Sequence, residues 1–373
     1  MRGILASSIG VTCAAALALP LAPPAAAADP GPARTAEAAT RAAVTARHDV
    51  PGSTQSLPLR PSPATVPAPP SWASPPVRTA LLLLGVIWDD PADQLHGRVQ
   101  VRTRTAGTGG WTGWRDVETH YTDHGADPDS AEGSSDGVRG ATAPLWVGDS
   151  DGVEVRVQPE PGAEESRAEQ PGSEETAAGE PEEGDHSVLP SGLRLELVDP
   201  GDDTQESPRS GLMSAEATAA SAANSALAPL GATEIPALNG EQTREELLTL
   251  RGAQLTERQR AESYIGPRPA VVTRRGWGAN ESLREKRFVY TSKVKAAFVH
   301  HTASGNGYKC SQGPALVRGF YRYHVSSLGW RDIGYNFLVD KCGRIYEGRA
   351  GEWRRPSRAP TRSGSTPTPR ASR

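Results

Sequence analysis

The side chains able to do chemistry gather near the end of this 373-residue chain: adjacent His300 and His301, then His324 and Tyr335, with Cys310 and Cys342 among them. An imidazole ligates a metal or moves a proton near neutral pH, and a phenol donates a hydrogen bond to negative charge forming on an oxygen. Each also has a plainer reading. By itself His300 is a buried strand histidine bonded to a backbone carbonyl, and Tyr335 and Asn336 are ordinary sheet residues. His324 stands amid aromatics and reads as a packing residue, or as one that supports another side chain. Trp330, directly after Gly329, either lines a groove or caps the core.

The elements that must position these groups are legible from spacing. Lys295 to His301 reads as a strand of apolar and small residues running into the histidine pair, so His300 and His301 should point to opposite faces and not share a metal. Ser311 is a candidate N-cap, and Pro314 falls in the first turn of a helix carrying Leu316, Val317, Phe320, Tyr321 and His324 at helical spacing, with Gly329 beyond its end. Tyr335 to Asp340 reads as a strand, Gly343 as a turn, and Arg344 to Glu347 as its hairpin partner. Strand, helix, strand, strand implies an α/β or α+β unit, a mixed sheet with packed helices.

Six ordered blocks then carry a resemblance: Trp277-Gly278-Ala279, Phe298 to Ala303, Tyr323-His324, Gly329-Trp330, Asp332 to Phe337 and Ile345 to Arg349. Between Arg275 and Arg349 the chain resembles the zinc N-acetylmuramoyl-L-alanine amidases of the phage-lysozyme type and their relatives, the peptidoglycan recognition proteins. The resemblance implies that His300 ligates zinc and that Tyr335 assists catalytically at the oxyanion. It also implies that His301, Trp330, Asn336 and Arg349 lie against substrate. The bond cut would join the lactyl group of muramic acid to the L-alanine of the stem peptide. A catalytic zinc needs three protein groups and a water. The family's other two ligands, a His and a Cys, would fall well after the Glu-Gly-Arg block, whereas the sequence after Gly351 is Arg-, Pro- and Ser-rich with neither residue. The expectation is an amidase-like domain incomplete at its C-terminus, with a one-base frameshift after Gly351 as its origin, and a chain inactive for want of zinc ligands. The alternative is a recognition protein that binds muropeptides without cleaving them.

The rest of the chain divides by composition. Residues 1–28, with Arg2, an apolar run and Ala25 to Ala28, read as a secretory signal, and residues 29–76 as a Pro/Ala-rich tether. The expected location is therefore secreted, extracellular and cell-wall associated, without a stable membrane anchor. Cys13 leaves with the signal, and the remaining pair is most simply a disulfide closing a loop of about 32 residues, a zinc pair being the rival. Residues 77–200 alternate with period two in Val99, Val101, Thr103, in Val153, Val155, Val157 and in Leu193, Leu195, Leu197, which predicts a small all-β domain of about six strands. Within it, 160–186 carries ten acidic residues against Arg167 alone and reads as a solvated loop. Residues 201–266 read as a linker with a spacer helix, 267–351 as the partial amidase domain, and 352–373 as a disordered tail. A net charge of −4 without a basic run removes the electrostatic footprint of a nucleic-acid binder.

Overall fold

The computed structural model describes residues 52–61, 72–73, 81–121, 124–160, 189–201, 213–262, 265–290 and 297–351. The signal, the acidic loop beyond residue 160 and the tail from 352 lie outside the described residues, and with them the frameshift expectation.

The alternating segments form strands β1 (Ser53–Pro58), β2 (Arg60–Pro61), β3 (Trp72–Ala73), β4 (Leu81–Trp88), β5 (Gly97–Thr105), β6 (Arg115–Val117), β7 (Gly140–Ala141), β8 (Leu145–Pro159) and β9 (Arg194–Asp199). They make one nine-stranded sheet whose main path is β1-β9-β4-β8-β3-β2, with β5 on β8, β6 on β5 and β7 on β4. Every pairing is antiparallel. Thr103 and the Val and Leu residues singled out by their period are 2 % exposed or less, so the period-two reading chose the buried face correctly. The tether is a correction. Residues 53–58 pair with 194–199, because Leu57 packs against the apolar cluster that β9 lines and the strand edge takes up its backbone groups.

The rest of the chain supplies α1 (Ala215–Ala223), β10 (Glu234–Ile235), α2 (Gly240–Arg251), α3 (Glu257–Glu262), β11 (Val271–Val272), α4 (Gly313–Arg322), β12 (Phe337–Val339) and β13 (Ile345–Glu347). A second sheet runs β10-β11-β13-β12, with β11 parallel to β13 and the 337–347 hairpin antiparallel, as expected. Gly343 turns that hairpin at φ +82°. Pro314 sits in the first turn of α4, which continues as a π-turn over Tyr323–Ser327, and Gly329 follows at φ +73°. Ser311 is not the cap: the start is tied down by the Gln312 side chain, whose Oε1 accepts from Lys309 N at 2.8 Å.

The β-rich region and the C-terminal segment share a core. β4 is buried on both faces, which explains its unbroken run LLLLGVIW. Leu81, Leu84 and Val86 share one buried cluster with Val99, Val155 and Leu195, whereas Leu83 and Ile87 share another with Phe320, Tyr323 and Trp330. Gly85 admits the Tyr323 ring where a Cβ would collide with it, and the Tyr323 hydroxyl donates to Thr142 O at 3.1 Å. The disulfide Cys310–Cys342 is formed, with Cα atoms 6.0 Å apart.

One expected element is missing. Residues 297–301 are irregular backbone, with Phe298 56 % and Val299 99 % exposed. An apolar strand is held only where neighbours accept its backbone groups, and none of the described strands pairs with this stretch. β12 is the edge of its sheet and leaves Phe337 and Val339 exposed.

Candidate functional site

Tyr335 precedes β12 and is held by main-chain bonds at the end of the hairpin: Arg349 N donates to Tyr335 O at 2.8 Å, and Gly348 N donates to Asn336 O at 2.9 Å. Its hydroxyl lies 3.2 Å from the Tyr121 hydroxyl and 3.2 Å from His124 Nδ1, both contributed by the segment after β6. The rings of Tyr121 and His124 stack at 4.6 Å and 4°, and His124 N donates to Tyr121 O at 3.0 Å. The His300 ring stands 4.8 Å from that of His124, and the His301 ring 6.2 Å. Without a strand the two histidines do not diverge, and both approach the same imidazole. This corrects the opposite-face expectation.

Burial sets the electrostatics. It pushes the Tyr335 phenol above its ordinary pKa, and Tyr121 well above, so both stay protonated and able to donate. His300 Nε2 is buried without a hydrogen-bond partner. An orphaned imidazole nitrogen facing inward suits one position on a metal or one donor from a ligand. Among the described residues, however, no group of three or more His, Cys, Asp and Glu is arranged to hold a metal ion. They offer zinc the His300 imidazole and do not assemble a three-ligand centre.

The remaining expected site residues divide by burial. His324 is fully buried, stacks on Trp330 at 4.4 Å and accepts at Nδ1 from Gly334 N at 3.2 Å. Its environment lowers its pKa from 6.5 to about 3, by burial first and then by the nearby Arg349 and His124. It is a packing residue standing 5.6 Å behind the Tyr335 ring. Trp330 is 3 % exposed and belongs to the core, not to a groove. Arg349, expected against substrate, is instead buried in a two-pronged pair with Glu132, at 2.9 and 2.8 Å. The reason is chemical: a planar guanidinium matches a carboxylate edge on. Glu132 also accepts from Arg331 N at 2.9 Å, tying the segment that carries His124 to the C-terminal hairpin. His301 and Asn336 are exposed. No spacing rule marks Tyr121 and His124. The available signal was a cluster of His120, Tyr121 and His124 in a stretch without strand alternation.

Residues 39–180 match a family described as Rv3811 N-terminal galactose-binding domain-like. Matches to individual proteins are shorter. The chain is 43% identical over 98 residues to peptidoglycan-recognition protein SC1a of Drosophila melanogaster, 24% of this chain and 52% of that one. It is 38% identical over 92 residues to peptidoglycan-recognition protein SC2 of Drosophila simulans, 24% of this chain and 46% of that one. It is 34% identical over 97 residues to the N-acetylmuramoyl-L-alanine amidase of Homo sapiens, 25% of this chain and 16% of that one. No solved structure matches. The chain thus spans at most about half the length of these relatives. Over that span it is similar to peptidoglycan-recognition proteins and to an N-acetylmuramoyl-L-alanine amidase.

Proposed function

We propose that this is an exported protein of amidase lineage that binds peptidoglycan, holding a muropeptide where Tyr335, His300, Tyr121 and His124 converge. The observation that carries the reading is the inward-facing, unpartnered Nε2 of His300 beside a phenol gripped by two groups of the β-rich region. In this reading Tyr335 offers its hydroxyl hydrogen to a carbonyl of the stem peptide or the lactyl amide while the buried Tyr121 hydroxyl steadies the Tyr335 oxygen, and His300 Nε2 meets a polar group of the ligand. Exposed His301 and Asn336 border the bound peptide. Cleaving the muramoyl–L-alanine amide would call on zinc to polarise the carbonyl and activate water. The described residues supply the His300 imidazole toward that centre, and the reading proposed is recognition. The apolar run ahead of Ala28 and the Cys310–Cys342 disulfide support an oxidising compartment outside the cell.

The test is titration calorimetry of the full chain with a muramyl tetrapeptide, alongside release of free amino termini from purified murein with and without added zinc. Binding without release, weakened about tenfold in Tyr335→Phe, is the expected result. Turnover with bound zinc would overturn the non-catalytic reading. Failure to bind at all would overturn the site.

A further inference from the structure

Away from Tyr335, a cavity of about 180 Å³ lies between α1 and the loop 273–281. Met213, Ala217, Ala220, Ala228, Pro229 and Ile235 supply its apolar wall. Ala220 and Ile235 are 5 % and 1 % exposed, yet neither joins the two apolar clusters of the molecule, so they border the cavity instead of packing into the core.

The cavity does not close because polar ties hold α1 at a set distance. In its first turn Glu216 O accepts from Arg284 Nη2 at 3.2 Å. At its C-cap Asn224 Nδ2 donates to Glu347 Oε1 at 2.9 Å and to Gly351 O at 3.0 Å. Gly231 N donates to Ser221 Oγ at 2.8 Å and fixes the loop that leaves the helix. Between these ties α1 offers the cavity only the short side chains of Ala217, Ala220 and Ser221, which do not fill it. The floor consists of buried Asn224, Arg274, Glu281 and Glu347, and these groups bond one another: Arg274 N donates to Glu347 Oε2 at 2.9 Å, and Arg274 Nε to Glu281 Oε1 at 2.8 Å. A buried water needs about two to four polar partners, and the floor is already engaged. An apolar guest makes van der Waals contact with the wall and leaves the floor bonds intact. An apolar cavity of roughly 150 Å³ stays dry and admits benzene.

We propose that this cavity binds a compact apolar molecule of about six to eight non-hydrogen atoms, an aromatic ring or a branched aliphatic group. The site stands apart from the muropeptide reading and does not rest on it.

The test records thermal melts of the full chain with benzene and, separately, with phenol. About 10 mM benzene should raise the melting temperature by about 2 to 4 °C. Phenol should raise it by less than about half as much, because its hydroxyl would be buried against a floor whose bonds are already made. Ala220→Leu puts a larger side chain into the cavity and should lose the benzene shift. No shift in the parent would overturn the site, as would an equal shift in Ala220→Leu. Phenol matching benzene would overturn the apolar class of ligand. Should Ala220→Leu not fold, the same comparison with Ala228→Leu decides.

Discussion

His324 gives the sharpest test of how the C-terminal core is held. Its imidazole is sealed between Trp330 and the helix, and its pKa falls from 6.5 to about 3. Below pH 6.5 the unfolded chain takes up a proton that the folded chain refuses, so stability is lost as pH falls from about 6.5 toward 3. Each pH unit in that window is worth about 1.4 kcal/mol. Between pH 7.5 and pH 5.0 this one side chain should therefore remove about 2 kcal/mol of unfolding free energy. The perturbation is His324→Phe, which keeps an aromatic ring against Trp330 and removes the titration. It leaves the Gly334 N–H without its acceptor, at about 1 to 3 kcal/mol at every pH. Urea unfolding followed by tryptophan fluorescence at both pH values measures the four free energies. The expected result is a variant weaker than the parent at pH 7.5 whose further loss on acidification is smaller than the parent's by about 2 kcal/mol. Equal acid losses in the two proteins would show that His324 takes up its proton in the folded state, and the argument from burial would be wrong.

Glu132→Ala strands the Arg349 guanidinium in a buried site and should cost about 3 to 5 kcal/mol, read from the urea midpoint. Replacing the pair together with Leu and Met should restore most of that loss, and an equal loss in the double variant would refute the pairing. Gly85→Ala drives a methyl into the Tyr323 ring and should destabilise by about 1 to 3 kcal/mol in thermal melts, whereas Gly85→Ala combined with Tyr323→Leu should recover part of it. Reduction of Cys310–Cys342, which spans 32 residues, should lower unfolding free energy by about 3 to 4 kcal/mol, measured with and without dithiothreitol.

The strands of the β-rich region were readable because each alternation maps onto one buried face, as Val99, Val101 and Thr103 show with exposures of 1 % or less. The helix at 313–322 was readable because Pro314 fixes its start and Leu316, Val317, Phe320 and Tyr321 recur at helical spacing; all four are buried. A strand ending at His300 was equally suggested, yet residues 297–301 are irregular. Local pattern states what a segment prefers and cannot supply the neighbours that would accept its hydrogen bonds. The same limit governs Arg349 and Trp330: their place in a motif says nothing about whether a partner such as Glu132 or His324 covers them.

By itself, then, the amino-acid order determined the period of the β-rich strands and of the 313–322 helix, the two cysteines able to pair and the blocks of resemblance around His300 and Tyr335. Only the tertiary structure decided that Tyr121 and His124 reach the Tyr335 hydroxyl, and that the β-rich region and the C-terminal segment share one core. The physical reason is range. Periodicity and capping act between residues a few positions apart, whereas the grip on Tyr335 joins groups far separated along the chain.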